Sequence, residues 1–173
     1  MTPVLETPRL FLRPITAADS AFILELMNEP PYLENIGDRG VRSVVDAARY
    51  IEEKFVAAYA RHGFGLYLVV TKADMIPIGI CGLLKRDVLD HPDLGYAYQQ
   101  RHWSQGHGTE AARATVELAQ KTFALPYLHG VVAPTNARSI RLLERLGMKY
   151  LRIIALPGNP QESALYGMNL RHD

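Results

Sequence analysis

The chain has 173 residues, 48% of them hydrophobic, and its 19 basic residues nearly balance its 18 acidic ones to leave a formal charge of +1. That length suits a single domain over 1–173 with a substantial core, and the near-neutral balance provides no electrostatic footprint for nucleic acid or an anionic membrane surface. Cys81 is the only cysteine, which excludes an internal disulfide framework and a cysteine-rich zinc site.

The start, Met1 to Glu6, lacks the basic residues and apolar core of a secretory signal, and no apolar run is long enough for a bilayer, so a cytoplasmic protein is expected. "RLFLRPI" (Arg9 to Ile15) alternates apolar and polar residues and predicts a strand, with Pro14 at its end or on an edge. Thr16 and Asp19 mark a helix start, and Phe22, Ile23, Leu26 and Met27 give that helix a buried stripe. Pro30-Pro31 is expected to end it, with an irregular connection to Gly40 that folds over a cleft. Ser43 and Asp46 start a second helix, which Val44, Ala48, Ile51, Phe55 and Ala58 continue to about Ala60.

"GLYLVVTK" (Gly65 to Lys72) and "IPIGICGLLK" (Ile76 to Lys85) read as strands joined by a hairpin-sized gap, and "DLGYAYQ" (Asp93 to Gln99) is a third strand in succession. A long helix follows from about Gly106 to Phe123, with Ala111, Ala112, Thr115 and Ala119 inward. "YLHGVVAP" (Tyr127 to Pro134) is a strand, and Asn136 to Gly147 a short helix that Gly147 stops. Met148 to Leu156 and Ser163 to Leu170 are two closing strands around the Pro157 to Glu162 loop. The order β-α-α-β-β-β-α-β-α-β-β predicts an α/β (α+β) domain with helices packed on a largely antiparallel sheet.

Gly106-His107-Gly108-Thr109-Glu110-Ala111 fits G-x-G-x-x-A, which lets a loop approach a phosphate and aims a helix N-terminus at it. A dinucleotide fold places this pattern in an early βα unit, with an acidic residue after the next strand. Here three strands precede it, and Val131-Val132-Ala133-Pro134 holds no carboxylate. A P-loop needs Gly-Lys-Ser/Thr, and Gly108-Thr109-Glu110 has no lysine. A plain turn with a helix cap remains a third reading.

Four segments, "TPRLFLRPIT", "IGICGL", "DLGYAYQQRHWSQGHGTEAA" and "PTNARSIRLLERLGMKY", together resemble the GNAT superfamily of acetyl-CoA-dependent N-acetyltransferases. The similarity is to the branch of the ribosomal-protein N-terminal (alanine/serine) acetyltransferases. It implies a single-domain GNAT fold, a mixed, mostly antiparallel twisted sheet of about seven strands splayed at the centre, with about four helices. Acetyl-CoA, as co-substrate, would lie in the central gap. The resemblance implies that the Gln105-Gly106-His107-Gly108-Thr109 loop wraps the diphosphate with backbone amides, with His107 over the cofactor. It places the backbone of Tyr96, Ala97 and Tyr98 along the pantetheine arm like an added strand, with Asn136 bonding the same arm. Trp103 stands where the family usually has Gln or Arg.

Direct acetyl transfer needs a neutral amine against the thioester, donors for the oxyanion and a proton for the leaving thiolate. The position of the family's tyrosine acid is Leu143 here, and the resemblance passes that role to Ser139, whose alternative is to satisfy local backbone groups in the first turn of its helix. Asn136 also fits a helix N-cap. Asp93, at the mouth of the central strand, and Glu162, in the last loop, are the candidate general bases, acting directly or through water; each also suits a solvated surface charge. Glu110 fits the first turn of its helix, and Cys81 a buried inert thiol. His102 and His107, with no third ligand in view, predict no metal.

The expected activity is transfer of acetyl from acetyl-CoA to a primary amine, of a protein N-terminus or of a small molecule such as an amino acid, polyamine or aminoglycoside. No nucleic-acid or membrane partner is expected, and the protein would act as a monomer or homodimer. A non-catalytic acyl-CoA-binding or sensor domain is the alternative, and the missing tyrosine at Leu143 favours it.

Overall fold

In the computed structural model, which describes residues 2–171, the alternating segments assemble into one sheet; Met1, His172 and Asp173, the ends of the expected domain, lie outside the described residues. Its strands are β1 (Leu5–Glu6), β2 (Leu10–Pro14), β3 (Leu66–Thr71), β4 (Pro77–Leu84), β5 (Asp93–Tyr98), β6 (Tyr127–Val132), β7 (Lys149–Ala155) and β8 (Glu162–Asn169). They lie in the order β1-β2-β3-β4-β5-β6-β8-β7. Every neighbouring pair is antiparallel except β5 and β6. The strand beyond the expected seven is β1, whose two residues are too few to show a period.

The helices are α1 (Ser20–Met27), α2 (Pro30–Asn35), α3 (Val44–Tyr50), α4 (Ala57–His62), α5 (His107–Lys121) and α6 (Ala137–Arg145). α2 replaces the irregular connection expected after Pro30-Pro31. Proline at the first helical positions lacks only an N–H that would have no intrahelical acceptor, so the pair opens a helix instead of closing one. The single helix expected from Ser43 is α3 and α4 joined by a π segment, Ile51–Val56, whose wider turn keeps Ala47, Ile51 and Phe55 on the buried side.

Alternation in β3 divides the core between the two faces of the sheet. Leu66, Leu68 and Val70 pack with Ile23, Leu26, Ala47, Ile51 and Phe55 on one side. Tyr67 and Val69 pack with Leu83, Leu94, Ala111, Ala112 and Ala119 on the other. Each fully buried leucine or isoleucine contributes about 1.5–3 kcal/mol. Ala111, Ala112 and Ala119 are all 0% exposed and let α5 settle directly on the strands, so a larger residue at Ala112 would overpack the layer at a cost of about 1–3 kcal/mol. No helix among the described residues is long and apolar enough to cross a membrane.

One irregularity in this sheet creates the cleft. β4 stays paired with β5 as far as Tyr98, whereas β6 pairs with β5 only at Asp93↔His129 and Leu94↔Gly130. Beyond Leu94 the two parallel strands part, and among the described residues the Gly95 to Tyr98 backbone has no strand partner on that side.

Candidate active site

The gap between β5 and β6 is a cleft of about 580 Å³. Tyr96, Ala97 and Tyr98 form one wall, the 105–109 loop one end, and Asn136 and Ser139 at the start of α6 the opposite wall. At the other end stand α2, Leu84, Arg86 and Asp93. Every residue that the sequence nominated for the cofactor, Gln105, Gly106, His107, Gly108 and Thr109 included, borders this one cavity.

Gly106 is the N-cap of α5 and has φ of +81°, a left-handed conformation that a glycine adopts without a Cβ penalty. The first intrahelical bond is Glu110 N–H to the Gly106 carbonyl, so the amides of His107, Gly108 and Thr109 have no acceptor within the helix. A Cβ at Gly108 would meet Leu142 and Tyr98 at 3.4 Å, ordinary contact; what its small size keeps open is the cleft beyond.

The loop is tied down from behind. Arg9 donates Nη1 to the Gln105 carbonyl at 2.9 Å and Nε to Glu110 Oε2 at 2.6 Å. The Arg9 backbone N–H and the Thr7 hydroxyl both donate to Glu110 Oε1. Burial pushes the Glu110 carboxyl up, but these donors prevail and its pKa lies below the ordinary value. Trp103 braces the other side: its indole N–H donates to the Tyr98 carbonyl at 3.0 Å, and Arg138 stacks 4.7 Å over its ring. The His107 ring is buried with Nδ1 lacking a partner among the described residues, and burial, followed by the Arg9 charge, lowers its pKa and favours neutral imidazole. Among the described residues no cluster of three or more metal-ligating side chains occurs.

At the start of α6 the Asn136 side chain accepts from Ser139 N–H at 3.2 Å, the N-cap geometry. The Ser139 hydroxyl stands 2.6 Å from the Tyr96 hydroxyl, a contact across the cleft that strand periodicity gives no sign of. Burial pushes Tyr96 up to about 12, so it stays protonated. Leu143 is 2% exposed and packs under Gly130, so this position is filled by the core.

Asp93 is not a solvated charge at an open mouth. It is 1% exposed, and both its oxygens lie within 3.2 Å of Arg86 Nε. Burial raises its pKa to about 6 in spite of the Arg86 charge. Glu162 is not brought to the site: it is the exposed first residue of β8, paired with Ala155, and does not border the cleft. Cys81 is fully buried, 3.5 Å from the Thr115 hydroxyl, and burial pushes its thiol up to about 11. Arg86, Arg9 and α2 are the participants that sequence reading missed. Arg86 precedes Asp93 by seven residues across an irregular turn, a spacing with no periodic signature.

Residues 9–149 match the family described as the acetyltransferase (GNAT) domain. The chain is 28% identical over 152 residues to the uncharacterized N-acetyltransferase YoaA of Bacillus subtilis (strain 168), covering 86% of this chain and 84% of that one. The crystal structure of an acetyltransferase from Agrobacterium tumefaciens str. C58 superposes with a TM-score of 0.79 at 26% identity over 98% of this chain and 95% of that one. RimL, a ribosomal L7/L12 alpha-N-protein acetyltransferase solved in complex with coenzyme A, shares the fold with a TM-score of 0.76 at 13% identity, covering 97% and 98% of the two chains.

Proposed function

Because the chain belongs to the GNAT acetyltransferase family, we propose that it moves the acetyl group of acetyl-CoA to a primary amine by direct attack within a ternary complex. The observation that supports this most is the parting of β5 and β6 after Leu94. It leaves an unpaired strand edge as one wall of a cavity and the free amides of α5 at one end, where an extended polar arm and a diphosphate find their donors. A left-handed Gly106, clamped through Gln105 by Arg9, fits the same role.

Acetyl-CoA supplies the activated acyl group, and the chain's residues handle the protons. Asp93, with a pKa near 6, is ionised at neutral pH and serves as general base for the amine, directly or through water. Ser139 donates a hydrogen bond to the departing sulfur while Tyr96, held protonated by burial, donates to Ser139. Asn136 sets the first turn of α6 and with it the place of Ser139. The core packing of Leu143 favours a second reading, an acyl-CoA-binding domain without turnover.

Calorimetric titration with acetyl-CoA, with NAD as control, tests the site first. Micromolar affinity, about −8 kcal/mol, for acetyl-CoA alone is the expected result. Binding of NAD instead would refute it, and binding with no transfer to any amine would select the second reading.

A further inference from the structure

β5 rises about 3.4 Å per residue, which sets Asp93 roughly 10 Å along the strand from Tyr96, at the opposite end of the cleft from the glycine loop. This end is walled by Tyr32, Asn35 and Ile36 of α2 and by Leu84 of β4. Among the described residues Asp93 is the sole carboxylate bordering the cleft, and Arg86 already pairs with it. Arg86 uses only Nε for that pair. Its two terminal nitrogens make no hydrogen bond among the described residues, and its side chain is 32% exposed.

This balance sorts the amines that could enter. A polyamine or aminoglycoside brings several ammonium groups to an end with a single, already paired carboxylate. A protein N-terminus has lost its α-carboxylate to the peptide bond and leaves the Arg86 fork unmatched. An α-amino acid satisfies both members of the pair, its amine at Asp93 and its carboxylate on the terminal nitrogens of Arg86, a planar array that suits bidentate binding. We propose that the acceptor is a free α-amino acid or a close analogue, selected through its carboxylate by Arg86. This rests on the acetyltransferase reading of the cleft. In the transfer, the amine nitrogen forms the new bond to the acetyl carbon as the carbon–sulfur bond breaks. The amine proton goes to Asp93, which returns it to solvent, and the thiolate takes one proton from solvent by way of the Ser139 hydroxyl to give the free thiol, so that one proton is released and one consumed.

Initial rates of thiol release at saturating acetyl-CoA, on free amino acids, the matching amino acid carboxamides, peptides with an acidic second residue and spermidine, test the assignment. The best amino acid should exceed its carboxamide in kcat/KM by roughly ten- to hundredfold. Arg86→Gln should bring that ratio near one, chiefly through KM, with acetyl-CoA affinity unchanged by calorimetry, and Arg86→Lys should retain part of it. Carboxamides, acidic peptides or spermidine used as well as any amino acid would overturn the proposal, as would an undiminished ratio in Arg86→Gln. So would the absence of both turnover and binding heat with amino acids on the coenzyme A-saturated protein. Should Arg86→Gln not fold, the carboxamide comparison on the unaltered protein decides. Failure to bind acetyl-CoA would strike the reading of the whole cleft, whereas acetyl-CoA binding without carboxylate preference strikes this assignment alone.

Discussion

Replacing Tyr96 by Phe removes one oxygen from the cleft and keeps the ring. The lost group stands 2.6 Å from Ser139 Oγ and 3.3 Å from the Ser139 carbonyl, and with a pKa near 12 it is a donor at neutral pH. In the proposed relay Tyr96 donates to the serine hydroxyl, whose own proton is then free for the sulfur. A hydrogen bond between neutral groups contributes about 0.5–1.5 kcal/mol, so if all of it acts in the transition state the rate of transfer falls about two- to thirteenfold. Ser139→Ala removes the direct donor and should cost about a hundredfold. Because Tyr96 acts only through Ser139, the double variant should be no slower than Ser139→Ala, a coupling equal to the whole effect of Tyr96→Phe. Single-turnover acetyl transfer at saturating acetyl-CoA keeps product release out of the measurement, and calorimetry should show cofactor affinity within about twofold of the unaltered protein. Rate losses that multiply in the double variant, or Tyr96→Phe with an unchanged rate, would refute the relay.

Asp93, raised by burial to about 6 against the pull of Arg86 and Lys85, should put a break near pH 6 in the profile of kcat/KM, below which the slope steepens by about tenfold per pH unit beyond the rise that deprotonation of the acceptor amine itself causes; Asp93→Asn should abolish that break in a pH–rate profile. For stability the sign is opposite. The folded state binds this proton more tightly than the unfolded chain, whose aspartate titrates near 3.9, so the contribution present below about pH 4 is lost as pH rises through 6, by about 3 kcal/mol at most; denaturant unfolding at both ends of the window, with Asp93→Asn as reference, measures it. Gly106→Val should weaken acetyl-CoA binding and also lower stability by about 1–2 kcal/mol, since φ is +81° and its Cβ would lie 3.1 Å from Arg9 Nη2, whereas Gly108→Val should weaken binding with little change in melting temperature; full affinity in Gly108→Val would remove the loop from the cofactor site. Arg9→Ala should weaken acetyl-CoA binding several-fold by freeing Gln105 yet cost less than about 1 kcal/mol of stability, because the Arg9 side chain is 49% exposed; calorimetry and thermal melting separate the two.

What could be read in advance depended on how far apart the cooperating residues lie in the chain. The glycine loop and the cap of α6 were legible because Gly106 to Glu110 and Asn136 to Ser139 each hold their chemistry within one turn. The parting of β5 and β6 was not, because each strand keeps a valid pattern whether or not its neighbour follows it past Leu94. Pro30-Pro31 misled for a related reason: proline marks both the end of a helix and the first turn of the next, and α2 does the second beside the cleft. Asp93, at the mouth of the central strand, and Glu162, in the last loop, looked alike as candidate bases. The difference is tertiary, for Asp93 is enclosed where β4, β5 and β6 still pair and is met by Arg86, while Glu162 opens an exposed register with β7. The acceptor end therefore draws on α2, β4, the following turn and β5, segments that no local window contains together. The proposed specificity for the amine rests on that assembly, which is why the family was recognisable from motifs while the pairing of Asp93 with Arg86 on which the acceptor proposal stands required the fold.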